Sequence, residues 1–429
     1  MVTWARTLWG VGLSVLLCGC SLFATLDPTP PRSDVGGDLD LVMAPDLPDP
    51  DDSVADEGGL EPWDAPEPLV VRPPTFRTTA SEFEAVPEAV LEVRPSSVDE
   101  VWVVLVGGTL GSTGANASDG TAEARFLVDG VERGLSGSNN AVPSLGLPWF
   151  HFDRIDGASG AAVAVELRSI RGEAFLSNLV MIAFALPPYA DVHFAELAAA
   201  SISTRVPETY FSPFFSIREA GRYVVLATAT ISEAPGDALR VSLTMPNGEL
   251  QRYVNHRSAW LPVLWQGDSA LPMGPAQFTF EGFSSSGTSS VRDTRILLWR
   301  ADAHEYVGFE VAPEPVGIAS VNPTTVASLT TAQPAGPRHH VVVQSTTLAG
   351  VEYDPDLTRG RRSHFARDGI RLGSYSRYNT TTGPWVPDVW IDLVETAEAM
   401  ALENTVACEG EELPMEAEQS TLQVLRLRR

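Results

Sequence analysis

From about residue 69 onward the chain is written in short apolar runs separated by Gly, Pro, Asn and Asp, with no long stretch of helical periodicity. That pattern predicts β-strands joined by tight turns. Four landmarks recur in the same order three times, about every 120 residues. First comes an apolar strand: VWVVLVGG at 101–108, RYVVLATA at 222–229 and HHVVVQST at 339–346. A strand ending on a turn dipeptide follows, at Asp129-Gly130, Asn247-Gly248 and Asp368-Gly369. Asp-Gly and Asn-Gly accept the positive φ angles of a two-residue hairpin. A Pro/Trp segment is third: LPWFHF at 147–152, WLPVLW at 260–265 and WVPDVW at 385–390. An alternating strand closes each copy: SNLVMIAF at 177–184, DTRILLWR at 293–300 and STLQVLRL at 420–427.

The period is too long for a solenoid repeat and suits an independent sandwich. The expectation is an all-β chain of three tandem antiparallel β-sandwiches of jelly-roll type, at 69–190, 191–312 and 313–429. In architecture such modules resemble carbohydrate-binding modules; no family is named by these residues. The third copy departs from the pattern between Asp392 and Glu418, which is acidic with no basic residue, and an insertion is expected around Cys408 to Glu412.

The first 68 residues read differently. Arg6 and the apolar run Leu8 to Leu17 lead to Leu17-Cys18-Gly19-Cys20. The run is shorter than the roughly 20 residues a spanning helix needs, so a cleaved signal is the better reading. The tetrad resembles the lipobox of bacterial lipoproteins. The resemblance implies a signal peptide at 1–19, cleavage before Cys20 and acylation of Cys20, which would hold the protein to the membrane. Ser21 in place of Asp implies sorting to the outer membrane of a Gram-negative envelope. Residues 20–68 then form a tether rich in Pro, Asp and Glu, with too little apolar surface to offset the entropy of ordering it.

Composition narrows the chemistry. The net charge is −26, with thirteen acidic residues against two arginines in residues 1–68, and a nucleic-acid partner is not expected. All 29 basic residues are arginine, which removes Schiff-base and phosphate-loop lysine mechanisms. With Cys20 acylated, Cys408 has no partner for an internal disulfide. The seven histidines lack zinc spacing, and the glycines at 107–114 do not fit a dinucleotide loop. No cofactor is expected. A calcium ion would fall at Asp153, Asp156, Asp354 and Asp356, where turn chemistry is the preferred reading.

Trp149, Trp260, Trp265, Trp385 and Trp390 are the candidate ligand-binding residues, since sugar rings stack on exposed aromatic faces. A packing role in the sandwich cores competes with that reading. Two residues five apart on a strand point oppositely, so one of each pair in copies two and three is expected inside and the other outside. The function expected is a non-enzymatic binding, adhesion or structural role, with glycan or envelope protein as partner. A hydrolase of extracellular polymers and a pure spacer are the alternatives.

Overall fold

The computed structural model describes residues 63–428, apart from 97–99, 114–119, 141–145, 234–236, 256–259, 313–314, 319–321, 351–358, 380–386 and 410–414. Glu61–Arg429 forms one compact unit. Its chain runs through three successive sandwiches.

The first holds β1 (Leu69–Val71), β2 (Phe76–Thr78), β3 (Glu84–Val93), β4 (Val101–Thr113), β5 (Gly120–Val128), β6 (Val131–Asn140), β7 (Leu147–Asp156), β8 (Ala161–Arg171) and β9 (Glu173–Leu186). One sheet has the order β1-β9-β4-β7, with β2 also on β9; the other has β3-β8-β5-β6. The second sandwich comprises β10 (His193–Ile202), β11 (Glu208–Phe211), β12 (Phe214–Ile217), β13 (Gly221–Ser232), β14 (Leu239–Thr244), β15 (Leu250–Asn255), β16 (Leu261–Leu271), β17 (Gly274–Gln277), β18 (Thr279–Ser284) and β19 (Ser289–Arg300). Its sheets are β10-β19-β13-β16 and β11-β18-β14-β15, with a small β12-β17 ribbon. The third contains β20 (Tyr306–Val311), β21 (Val316–Ile318), β22 (Thr324–Thr330), β23 (Arg338–Gly350), β24 (Arg359–Arg367), β25 (Ile370–Asn379), β26 (Pro387–Thr396), β27 (Ala401–Glu409) and β28 (Met415–Arg426). Its sheets are β20-β28-β23-β26, with β21 also on β28, and β22-β27-β24-β25. Once the short β2, β12, β17 and β21 are set aside, the order of strands within each sandwich is the same, which is the jelly-roll arrangement.

The repetition extends to single residues. Strands β9, β19 and β28 each carry a bulge at a non-glycine residue with positive φ: Asn178 (52°), Asp293 (52°) and Gln419 (49°). The partner strands β4, β13 and β23 shift register at matching places, between Gly107 and Thr109, Thr228 and Thr230, and Ser345 and Thr347. Pro148, Pro262 and Pro387 stand opposite Thr109, Thr230 and Thr347. These prolines lie on edge strands, where a missing N–H breaks no ladder bond.

Two of the three expected hairpin turns take the two-residue form. Asp129 and Gly130 have φ of 50° and 74°, Asp368 and Gly369 of 52° and 73°. In both, the aspartate carboxylate accepts a backbone N–H from the strand on the other side of the sheet, Ala162 of β8 or Ala401 of β27, at 2.8 Å. At Asn247-Gly248 only Gly248 has positive φ (83°). There the Gly248 N–H reaches the Met245 carbonyl at 2.9 Å, and the loop is Pro246-Asn247-Gly248. Pro246 fixes the first turn position, favouring a three-residue loop closed by a left-handed glycine.

Two expectations on the third copy change. β20 pairs with β28, so the third sandwich begins ahead of residue 313. Of the insertion expected around Cys408 to Glu412, Cys408 and Glu409 belong to Ala401–Glu409, the strand that pairs with β22 and β24, and 410–412 lie outside the described residues. Leu402, Asn404, Val406 and Cys408 point inward, while Glu403 and Thr405 keep some exposure. The acids follow the period-two alternation of a strand.

The first landmark strands are apolar without alternation because both their faces are buried. In β4, Trp102, Val104 and Val106 fill the first sandwich, while Val103 and Leu105 face away from it. In β13, Tyr223 and Val225 point into the second sandwich, and Val224 and Leu226 away. The outward sets meet in one further core, which also collects Phe150, Phe152, Ile182 and Phe184 from the first sandwich, Leu264, Leu297 and Trp299 from the second, and Val341, Val343, Val389, Ile391 and Leu425 from the third. Each sandwich thus contributes one whole sheet face to a shared centre.

The contacts around that centre repeat head to tail. Matched by strand register, Phe152, Gln266 and Ile391 occupy one slot on β7, β16 and β26. The Phe152 carbonyl lies 3.5 Å from the Arg295 guanidinium of the second sandwich. Gln266 donates its amide to Ser345 (3.2 Å) and to Thr421 of the third. Ile391 packs on Gly107 of the first, where an added Cβ would stand 3.0 Å from Ile391 Cγ1. The sequence of contacts closes on itself, with Arg72 donating to Asp392 (2.6 Å) and to the Leu393 carbonyl (2.9 Å) across the last junction.

Candidate functional site

Register places the tryptophans in unlike surroundings. Trp149 and Trp265 are fully buried in the first and second sandwich cores. Trp265 donates to the Gln251 carbonyl at 3.2 Å and meets Phe280 edge-on. Neither offers a face to a ligand, so both are corrected from platform to packing. Their slots also differ: the register partner of Trp265 is Ala227, and the matching pair in the first sandwich is Val106 with His151. Trp390 fills that slot in the third copy, half-buried over Gly373, whose Cβ would lie 2.2 Å from the indole. Trp260 is half-buried at the junction of the first two sandwiches, its carbonyl accepting the Gly137 N–H at 2.8 Å. The Arg292 guanidinium sits 3.9 Å over its ring, which occupies one aromatic face. Trp385 and Cys20 lie outside the described residues, as do Asp354 and Asp356.

Asp153 is buried and paired with Arg133, and Asp156 caps its own turn by accepting the Ala158 N–H at 3.0 Å. Among the described residues no group of three His, Cys, Asp or Glu side chains is arranged to hold a metal.

One arrangement mimics a nucleophile and its base. Ser136 Oγ and His151 Nε2 are 2.9 Å apart. Both side chains are sealed in the first sandwich, and His151 Nδ1 has no hydrogen-bond partner to orient it. Burial, then the fields of Arg295 and Arg292, hold this imidazole well below its ordinary pKa. Gly134 leaves it room, since a Cβ there would stand 2.4 Å from Nδ1. A pair without access or a third member is a packing arrangement.

The outer sheets differ more than the cores. On the first sandwich, Arg125 pairs with Glu166 (2.5 Å) and Arg168 with Glu123 (2.6 Å). Phe83 lies across both guanidinium groups, at 4.2 and 4.5 Å, and covers that face. On the second sandwich the outer sheet carries an open depression lined by Arg240, Ser242, Leu250, Arg252, Glu281 and Phe283. Inward residues Leu239, Val241 and Leu243 of β14 leave Arg240 and Ser242 facing out. Register sets Phe283 opposite Arg240, and Ser242 between Arg252 and Glu281. Neither Arg252 nor Glu281 has an ion-pair partner among the described residues. The depression therefore combines a partly exposed aromatic ring, a hydroxyl, a carboxylate and guanidinium donors. Alternation alone would have drawn attention to R-V-S on β14 and E-G-F on β18, but the sequence does not say which strands pair.

No family model and no curated protein matches this chain. Among solved structures it is similar to PNGF-II, at 9% identity over 72% of this chain and 98% of that one, with a TM-score of 0.28. A triple jelly roll of an archaeal virus matches at 9% identity, 83% and 91% coverage, and a TM-score of 0.21. The tandem CBM22 domains of Paenibacillus barcinonensis Xyn10C match at 11% identity, 55% and 91% coverage, and a TM-score of 0.16. With such loose overlaps, the functional reading rests on this chain's own residues.

Proposed function

We propose that the chain is an outer-membrane lipoprotein, anchored through acylated Cys20, with a non-enzymatic role in binding. Its ligand is a glycan, taken in the depression on the outer sheet of the second sandwich. The observation that supports this is the contrast between two equivalent faces. The first sandwich closes its outer sheet with Phe83 and internal ion pairs, whereas Arg252 and Glu281 beside Phe283 have no ion-pair partner among the described residues. A sugar ring on Phe283 would be oriented by hydrogen bonds from Arg252 and to Glu281, the usual pairing of an apolar surface with a few polar groups. Trp149 and Trp265, fully buried, support the sandwich cores rather than the ligand.

The test uses residues 61–429, since Trp63 packs on the first core and donates to Glu100 at 3.0 Å. Binding to a polysaccharide panel should be lost in Phe283→Ala and reduced at least tenfold in Arg252→Ala, with unfolding midpoints unchanged. A panel without binding, or binding indifferent to both changes, overturns the glycan assignment. Labelling whole cells with radioactive palmitate, comparing Cys20→Ser with the native chain, tests the anchor separately.

A further inference from the structure

The three sandwiches stand side by side with their strands running the same way. Phe184 and Trp299 hold one slot on β9 and β19, opposite Val103 and Val224, and their rings meet at 6.4 Å. Between the second and third, the Gln423 amide reaches the Gly267 carbonyl at 3.3 Å from a neighbouring slot. One end therefore gathers the starts of β4, β13 and β23, together with the Arg300 N–H on the Ala190 carbonyl (2.8 Å) and the Glu305 N–H on the Arg426 carbonyl (2.9 Å). The tips of the hairpins β5–β6, β14–β15 and β24–β25 lie at this end too. Val128 pairs with Val163, near the start of β8, and Arg367 with Leu402, near the start of β27. Those strands follow Asp156 and Thr396, which face Val101 and Arg338. Met245 of the remaining tip lies against Gly267, close to the Leu271 that faces Gly221. The chain also enters here: Leu69 pairs with Ala183, running back toward Leu186, and Trp63 donates to Glu100 beside Val101.

Each hairpin carries an exposed aliphatic side chain in the same position: Val131 opposite Val128, Leu250 opposite Thr244 and Ile370 opposite Arg367. Their exposures are 61%, 37% and 69%. Phe214 (64%) and Met273 (72%) join them on the β12–β17 ribbon, which pairs Ile217 with Gly274 just past Gly221 and Leu271. These are five of the eight exposed large hydrophobic side chains among the described residues, the others being Val90, Ile170 and Val206. A single exposed aliphatic needs no explanation, but the same placement at three turn tips, which favour polar residues, does. We propose that this end is the face that rests on a lipid bilayer, with Val131, Ile370, Phe214 and Met273 entering the headgroup layer. The orientation rests on the anchor proposed above: residues 20–62 lead to this end, so acyl chains and exposed tips are delivered to one surface. A tethered chain sees the bilayer at high effective concentration, and a modest apolar contact then suffices. The net charge of −26 opposes an anionic surface, so the partner is a zwitterionic bilayer.

The experiment uses residues 21–429 with an N-terminal hexahistidine in place of the acylated cysteine, held on phosphatidylcholine vesicles that contain a nickel-chelating lipid. Failure of the acylation reading, which palmitate labelling detects, therefore leaves this result intact. The variants Val131→Cys, Ile370→Cys and Val206→Cys each carry an environment-sensitive fluorophore; Cys408, at 7% exposure, is sealed against labelling. Val206 is as exposed as Ile370 but lies at the opposite end, where the Thr204 carbonyl accepts the Ser284 N–H at 2.9 Å. The labels of Val131→Cys and Ile370→Cys are expected to shift to the blue. Nitroxide lipids about 5–10 Å below the surface should quench them at least about twofold more than the label of Val206→Cys. Adding Phe214→Asp and Met273→Asp should remove most of that excess. Equal quenching of all three labels overturns the proposal. So does a dimer, seen by sedimentation without lipid, that Ile370→Asp disperses, because the tips would then cover one another.

Discussion

Replacing Gly107 by alanine tests whether the first and third sandwiches touch as described. The new Cβ would stand 3.0 Å from Ile391 Cγ1, 3.1 Å from Cδ1 and 3.7 Å from Phe150. Gly107 has no positive φ, so alanine is conformationally acceptable there and would gain about 0.4–1 kcal/mol by restricting the unfolded chain. Against that gain stands overpacking of a filled core, at about 1–3 kcal/mol. The net expectation is a loss of about 1–2 kcal/mol. Ile391→Ala alone leaves a cavity and costs about 2–5 kcal/mol. In the double variant the alanine methyl enters the space that Ile391 vacated, so the two costs fall short of additivity by about 1 kcal/mol or more. Guanidinium unfolding of residues 61–429, followed by tryptophan fluorescence, gives all four corners of the cycle. Additivity within about 0.5 kcal/mol would refute the reasoning, because the residues would then be energetically independent.

Three further outcomes follow from the same structure. His304 accepts the Trp299 indole N–H at 2.8 Å and is held neutral by burial, then by Arg428, with a pKa of about 3. The unfolded chain protonates it near 6.5, so stability should be full above that pH and fall progressively down to about 3, by roughly 4–5 kcal/mol in all. Denaturant midpoints of His304→Gln should lose most of that slope. Asp237 accepts hydrogen bonds from Ser285 (2.6 Å), Ser289 (2.7 Å), Ser284 and two backbone N–H groups. Burial opposes its charge, but these donors outweigh it and hold the carboxyl well below the usual range. Its contribution is present above about pH 4 and lost on further acidification, and Asp237→Asn should remove that acid-side loss from a melting series at pH 2–5. Finally, residues 191–305 expressed alone would bare Val224, Leu226, Leu264, Leu297 and Trp299, worth roughly 8–15 kcal/mol. That matches the whole stability of an ordinary domain, so the fragment should aggregate or stay unfolded by circular dichroism; a soluble, cooperatively melting fragment would contradict the shared core.

The architecture was legible where local chemistry decides it. Asp129-Gly130 and Asp368-Gly369 announced their turns because few other pairs accept two positive φ angles. The strand VWVVLV could be read as a strand, but its lack of alternation also recorded a second buried face, against neighbours no local pattern names. Trp149 fell in the expected segment yet two places from the slot of Trp265, because a one-face assignment depends on register. The acids of β27 resembled an insertion by composition, although Leu402, Asn404 and Val406 between them keep the alternation of a buried strand. The depression on the second sandwich was out of reach, since Arg252, Ser242 and Glu281 come from three strands joined only by pairing.

The closing junction also dictates when the molecule can become complete. Arg72 and Asp392 are 320 residues apart, and the face of β4 that carries Gly107 waits for β26 to cover it. A chain emerging N-terminus first therefore displays Val103 and Leu105 until nearly its last strands have been delivered. Contacts of such long range are slow to form, and uncovered apolar sheets invite aggregation meanwhile. Maturation must consequently follow delivery of the whole polypeptide, and a product truncated before β26 is expected to be a substrate for chaperones and proteases rather than a smaller working protein.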